Sequence, residues 1–143
     1  MPNEPAENEV QILKDAKVIA VVGATNSERR PGNIAPKFLI DHGLNVVPVN
    51  PSETEIHGRK VYKSLSDIPE PIEIVSVFRA SENVPPIVDE AIKVGAKVVW
   101  MQEGVIHEQA AAKARAAGLE VIMDRCIHCA VRDNPDEFPL VNQ

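Results

Sequence analysis

Lys17-Val18-Ile19-Ala20-Val21-Val22, followed at once by Gly23-Ala24-Thr25-Asn26-Ser27-Glu28-Arg29-Arg30-Pro31-Gly32, is the stretch whose reading decides the fold. The five apolar residues from Val18 to Val22 suit a strand buried on both faces, and the glycine that ends them opens a polar loop. A helix entry is expected at Gly32-Asn33, with Asn33 as N-cap, Pro36 in the first turn and His42-Gly43 as the stop. A strand, a loop and a helix start in that order direct backbone N–H groups and a helix dipole at one point, where a phosphate can be held.

Working outward, residues 44–50 read as a second strand that ends at Asn50-Pro51. Residues 60–62 suit a minor strand, and Ser64-Leu65-Ser66-Asp67 resembles a capping box for one helical turn. Residues 72–78 form the next strand, followed by a helix with Asn83 as cap, Pro85 and Pro86 in its first turn and Gly95 at its end. Residues 97–101 are a strand, 108–117 a helix stopped by Gly118, and 119–123 a last strand. Upstream, residues 6–15 place Val10, Ile12 and Leu13 among charged neighbours, as in a short amphipathic helix at the domain edge, with residues 1–5 frayed. Residues 124–143 have little periodicity and read as a covering tail. The expected fold is therefore α/β, Rossmann-like and doubly wound, with a mainly parallel five-stranded sheet and helices on both faces.

One domain over residues 1–143, with residues 1–16 as its N-terminal helix, fits the length. The apolar runs are strand-sized and too short to span a membrane. The acidic start, with Glu4, Glu7 and Glu9, is unlike a secretory signal, so a cytoplasmic location is expected. A net charge of −6 has the wrong sign for holding nucleic acid through the overall field, so a polyanionic ligand would need local help. Two cysteines, Cys126 and Cys129, are too few for a disulfide framework.

In such a fold ligands lie beyond the carboxyl ends of the strands. The loop after the first strand is no dinucleotide fingerprint, because Thr25 and Glu28 stand where glycines are needed and Asn50 replaces the acid that would read a ribose. It is no Walker loop either, since no Gly-Lys-Ser/Thr follows. Thr25, Asn26 and Ser27 still offer donors, and Arg29 and Arg30 can pair with phosphate oxygens. A solvated loop with two exposed arginines is the alternative for this segment alone. Phe78-Arg79 offers a plane for a purine, or a core phenylalanine beside a surface arginine. Glu103-Gly104 offers a carboxylate and an approachable backbone, or a plain helix-entry turn. Cys126-Ile127-His128-Cys129 lacks a second ligand pair for a metal, and no metal site is expected. A dithiol centre and two structural cysteines are both open, and Cys126 falls just past a strand end, on the side of the phosphate loop.

Together these segments resemble the CoA-binding domain family, the module at the N-terminus of the succinyl-CoA synthetase alpha subunit and of ADP-forming acyl-CoA synthetases, also found as a free-standing small protein. The resemblance runs from about residue 15 to residue 132. It is carried by Val21-Val-Gly-Ala-Thr-Asn26 with Gly32, Val47-Pro-Val-Asn-Pro51, Gly58-Arg-Lys-Val-Tyr-Lys-Ser-Leu-Ser-Asp-Ile-Pro69, Val77-Phe78, Gln102-Glu-Gly104 and Met123-Asp-Arg-Cys126.

What it implies is a coenzyme A site. Gly23, Ala24, Thr25, Asn26, Arg29, Arg30, Gly32 and Asn33 would hold the phosphates, Asn50 and Pro51 with Phe78 and Arg79 would frame the adenosine, and the pantetheine would pass Glu103 and Gly104 toward Cys126. In the ligases a further domain carries the histidine that is phosphorylated, and no histidine here maps onto it. The expectation is thus a protein that binds CoA or acyl-CoA without ligase chemistry of its own and with no catalytic residue identified. The alternatives are a redox protein forming a Cys126 mixed disulfide with CoA, and the CoA-binding subunit of a two-component acyl-CoA synthetase. A homodimer or a synthetase-type partner is compatible with either.

Overall fold

The computed structural model describes residues 3–141. The deciding stretch becomes β1 (Ile19–Val22), buried along its whole length, and the loop after it leads into α2 (Pro31–Asp41) and β2 (Val46–Val49). Two short strands, β3 (Glu55–Ile56) and β4 (Arg59–Lys60), make an antiparallel hairpin before β5 (Ile74–Val77). Then come α3 (Val84–Val94), β6 (Val98–Met101), α4 (Glu108–Ala116), β7 (Glu120–Ile122) and α5 (Ile127–Arg132), while α1 (Glu9–Asp15) precedes them all.

The main sheet has the order β2-β1-β5-β6-β7, and every pairing in it is parallel. Ile19 sits opposite Val46 on one side and Ile74 on the other. The chain leaves β1 for one edge and returns to the other side of β1 at β5. That reversal opens a crevice at the carboxyl ends of β1 and β5, where a doubly wound sheet binds its ligand.

Both faces of the sheet are covered, which is why its strands are continuous apolar runs. Ala20, Val22, Val75, Val77, Val99 and Met101 pack with α3 and α4 on one face. Ile19, Val21, Ile74, Val98 and Trp100 pack with Leu13 of α1, Leu39 of α2 and Ile127, Ala130 and Val131 of α5 on the other. Trp100 is fully buried and its indole N–H donates to the Arg125 carbonyl at 2.9 Å, so the largest core side chain also fixes the segment after β7.

The structure corrects several expectations. The N-cap of α2 is Arg30, not Asn33, because Pro31 with its fixed φ takes the first helical position. Asn33 instead lies in the first turn, buried, and its amide donates to the Thr25 carbonyl at 2.9 Å. Pro36 is therefore deeper than the first turn. Lacking an N–H, it leaves the Gly32 carbonyl without a helical donor, and the Thr25 N–H fills that place at 3.2 Å. Proline inside the helix thus closes the loop before it.

The minor strand is a hairpin, β3 with β4, whose first strand was not expected; Tyr62 adds only an isolated bridge to Val49. Ser64 precedes a single 3-10 turn over Leu65–Asp67 but makes no side-chain cap, and Asn83 precedes α3 without capping it either. The tail contains α5, a helix too short to show a period and capped by a cysteine. Residue Asn3, expected to be frayed, is held: its N–H donates to the Asp124 carbonyl at 2.7 Å and its side-chain oxygen accepts from the Cys126 N–H at 2.9 Å. Met1, Pro2, Asn142 and Gln143, part of the expected frayed start and covering tail, lie outside the described residues.

Candidate ligand site

The crevice between β1 and β5 holds two adjoining chambers. The first, about 330 Å³, is lined by Gly23, Thr25, Arg30, Pro31, Gly32, Asn50, Phe78, Arg79, Gln102, Glu103 and Val105. The second, about 290 Å³, is lined by Pro31, Ile34, Ala35, Phe78, Gln102, Glu103, Cys126 and His128. Pro31, Phe78, Gln102 and Glu103 belong to both, so the two form one elongated cleft.

Backbone geometry builds the first chamber. Gly23 has φ +94°, and a Cβ there would lie 2.2 Å from the Phe78 carbonyl oxygen. A Cβ on Gly32 would lie 2.4 Å from the Gly23 carbonyl oxygen. Both glycines are thus required by close backbone approach as well as, for Gly23, by conformation. The loop is tied down from three sides: Gly23 N–H to Val49 O at 3.1 Å, the Asn50 amide to Ala24 O at 2.8 Å, and Thr25 N–H to Gly32 O. The segment entering the β3–β4 hairpin adds Glu53, whose side chain accepts the Asn26 N–H at 2.9 Å, and β3 adds Glu55, whose carbonyl accepts the Asn26 amide at 2.9 Å. The Gly32 N–H, in the first turn of α2, meets no acceptor among the described residues. It opens with Arg30 and Arg79 onto a chamber at a helix N-terminus, an arrangement suited to an anion.

The second chamber is made by side chains. Ile34 and Ala35 of α2 and the Phe78 ring give it an apolar wall. Gln102 is buried; its amide donates to Ser76 Oγ at 2.9 Å and its oxygen accepts the Ile127 N–H at 2.9 Å, joining β5 to α5 beneath the cleft. Cys126 caps α5, its Sγ accepting the Cys129 N–H at 3.0 Å. Burial pushes the Cys126 thiol up to about 11, helped by the Cys129 thiol and the Glu103 charge, while the Cys129 N–H pulls the other way. Burial, Arg132 and His42 lower the pKa of His128. Beneath them Arg125 is buried against Glu9, Nη2 to Oε2 at 2.8 Å and Nε to Oε1 at 3.0 Å, which raises the guanidinium pKa.

The expected site residues divide accordingly. Gly23, Thr25, Arg30, Gly32, Asn50, Phe78, Arg79, Glu103 and Cys126 face the cleft. Ala24 and Asn33 are buried under the loop, and Asn26, Arg29 and Pro51 are exposed outside the lining. Gly104 also lies outside it, its N–H donated to Asp124 Oδ1 at 2.7 Å. The sequence reading did not assign Pro31, Ile34, Ala35, Gln102, Val105 and His128 to the site. Ile34 could have been found from the helix start, since a residue three past Pro31 shares its face. His128 carried no such signal until α5 was known. Among the described residues no group of three or more His, Cys, Asp or Glu is placed to hold a metal ion.

Residues 17–132 match the family described as CoA binding domain. The chain belongs to that family. This CoA-binding domain is 39% identical over 127 residues to the uncharacterized protein YneT of Bacillus subtilis, covering 88% of this chain and 94% of that one. It is 30% identical over 129 residues to the ADP-forming acetate–CoA ligase I subunit alpha of Pyrococcus furiosus, covering 79% of this chain but 28% of that subunit. Among solved structures, a hypothetical protein from Pyrococcus horikoshii OT3 superposes with a TM-score of 0.86 at 42% identity over 89% of each chain. A dinucleotide-forming acetyl-coenzyme A synthetase from Ca. Korarchaeum cryptofilum, in complex with phosphate and ADP, superposes at 0.69 with 26% identity, covering 73% of this chain and 25% of that one. The CoA-binding domain is thus of one size with the first and third of these proteins and a fraction of the synthetases. No described helix is long and apolar enough to cross a membrane.

Proposed function

We propose that this chain binds coenzyme A or an acyl-CoA in the cleft, with its phosphates on the loop of residues 23–32, and has no ligase activity of its own. The observation that carries the reading is the difference between the two chambers. One offers the free Gly32 N–H, Arg30 and Arg79, while the other is walled by Ile34, Ala35 and Phe78 and includes Cys126. A ligand with a phosphorylated nucleotide at one end and a long uncharged arm at the other matches that layout. CoA is such a ligand.

Isothermal titration with CoA, acetyl-CoA, NADH and ADP tests it. CoA is expected to bind and NADH not to compete, and saturating CoA at a hundredfold excess over its Kd should stabilise the fold by about 2.7 kcal/mol. No heat and no stabilisation with CoA or acetyl-CoA would sink the reading. Incubation with acetate, CoA and ATP is expected to give no acetyl-CoA.

A second reading is favoured by the place of Cys126. Cys126 lines the apolar chamber, so its thiolate can attack a CoA disulfide held there, forming a Cys126–CoA disulfide and releasing the other CoA as a thiol. Mass spectrometry after exposure to CoA disulfide detects the adduct.

A further inference from the structure

We infer that Cys126 and Cys129 form a dithiol that reduces disulfides of coenzyme A, Cys126 attacking and Cys129 resolving; the inference rests on CoA occupying the cleft. Three observations carry it. Both cysteines are free, and only Cys126 lines the cleft. Cys126 is the N-cap of α5 and its Sγ already takes the Cys129 N–H at 3.0 Å, so the second cysteine lies one turn away, outside the cleft lining. Residues i and i+3 of a helical turn hold their Cβ atoms about 5–6 Å apart, a separation that a small shift of the first turn brings to disulfide range. Cys126 itself is pinned, its N–H on Asn3 Oδ1 and the preceding Arg125 on Glu9.

The exchange balances without a further reactant. The Cys126 thiol gives up its proton, and its thiolate attacks one sulfur of CoA disulfide. That S–S bond breaks, one CoA leaves as thiolate and takes a proton from solvent, and the other remains bonded to Cys126. The Cys129 thiolate then attacks Cys126 Sγ and expels the second CoA, which is protonated in turn. The protein dithiol is oxidised by two electrons to a Cys126–Cys129 disulfide, and CoA disulfide is reduced to two thiols.

The surroundings of Cys126 set the direction of the second step. In a mixed disulfide the thiol of lower pKa leaves faster. Burial raises the Cys126 pKa above the ordinary thiol value, which makes Cys126 a poor leaving group. CoA is therefore the sulfur released. The same cause makes the first step slow near neutrality, where the thiolate is scarce, and its rate should climb as pH rises toward the thiol's raised pKa.

The full-length reduced protein, mixed anaerobically with CoA disulfide, tests the inference by released thiol and intact mass. The wild type should free two CoA per chain and lose two hydrogens. Cys129→Ser should free one and retain the other on Cys126, and Cys126→Ser should free none. A wild type that keeps a stable CoA adduct, or that releases nothing while still binding desulfo-CoA by calorimetry, overturns the inference. Equal rates with 2-hydroxyethyl disulfide overturn the assignment of CoA disulfides as the substrate. Failure to bind desulfo-CoA at all would instead remove the CoA reading on which the inference stands.

Discussion

The two ends of the cleft are built in opposite ways. The end at residues 23–32 is a backbone construction: Gly23 lies against the Phe78 carbonyl, Gly32 against the Gly23 carbonyl, and Pro36 frees the carbonyl that receives Thr25. The Cys126 end is held by side chains from the far terminus, with Asn3 and Glu9 reaching Arg125 and Cys126 across 116 to 123 positions of sequence. The sequence signals of the first end are local, although Val49, Asn50 and Phe78 close on its loop from neighbouring strands. The other exists only when the chain has folded, so each should fail by a different route and affect a different part of a bound ligand.

The largest effect is expected at the Cys126 end. Glu9 and Arg125 are 3% exposed each, and removing the carboxylate strands a buried guanidinium. Glu9→Ala should cost about 3–5 kcal/mol in urea unfolding. The pair Glu9→Leu with Arg125→Met should be less harmful than Glu9→Leu alone, because it leaves no unpaired charge. If the two single variants and the double lose equal stability, the buried pair is not what holds this end.

At the other end, Gly23→Ala forces a methyl to 2.2 Å from a backbone oxygen at a φ of +94°. The strain and overpacking together should cost about 2–4 kcal/mol and pry β1 from β5 at the mouth of the cleft. Nucleotide binding should fail with it. A stable Gly23→Ala protein that still bound CoA would show the loop to be more pliant than its contacts indicate.

This contrast also explains how much could be read from the sequence. Val18 to Val22, the glycines at 23 and 32 and the strand-end residues Asn50, Phe78, Arg79 and Glu103 are local signals. They placed the doubly wound sheet and the first chamber, because apolar runs and turn glycines act through their neighbours in the chain. The misplacement of the α2 cap was local too: Asn33 suits a cap, yet Pro31 starts the helix earlier. What stayed hidden was non-local or too short to have a period. Asn3 sits in a stretch with no pattern, Glu9 looks like one more exposed acid, and α5 spans six residues. No spacing rule links Glu9 to Arg125. His128 and the apolar wall of Ile34 and Ala35 became part of a site only when α2 and α5 came together across the sheet.

Ligand fragments separate the ends more gently. Arg30→Ala removes a charged donor from the first chamber, and a charge-assisted hydrogen bond contributes about 1.5–3 kcal/mol, so CoA affinity should drop roughly 10- to 150-fold. As Arg30 is exposed, stability should change by no more than about 0.5 kcal/mol. Cys126→Ser should leave the affinity for 3′,5′-ADP, which lacks the arm, unaltered. Equal losses for CoA and 3′,5′-ADP in Cys126→Ser would mean that the nucleotide does not lie where the loop is.

The smallest expected effect concerns pH, and it falls on the Cys126 end from both sides. The folded state lowers the His128 pKa, so as pH falls below about 6.5 the unfolded chain takes up a proton before the native one does. Stability contributed by neutral His128 is whole above that pH and declines as the solution is acidified toward the lowered native value. Cys126 runs the opposite way. Its native pKa of about 11 lies above the ordinary 9.0, so the unfolded thiol ionises first, and stability is whole below pH 9 and lost as pH rises toward 11. His128→Asn should flatten the acid limb of a denaturation midpoint plotted against pH and leave the alkaline limb, while Cys126→Ser should do the reverse. Because Arg132 and His42 add to the lowering, His42→Asn should recover part of the His128 pKa seen by NMR. If it does not, burial and the Arg132 charge are enough to keep the imidazole neutral.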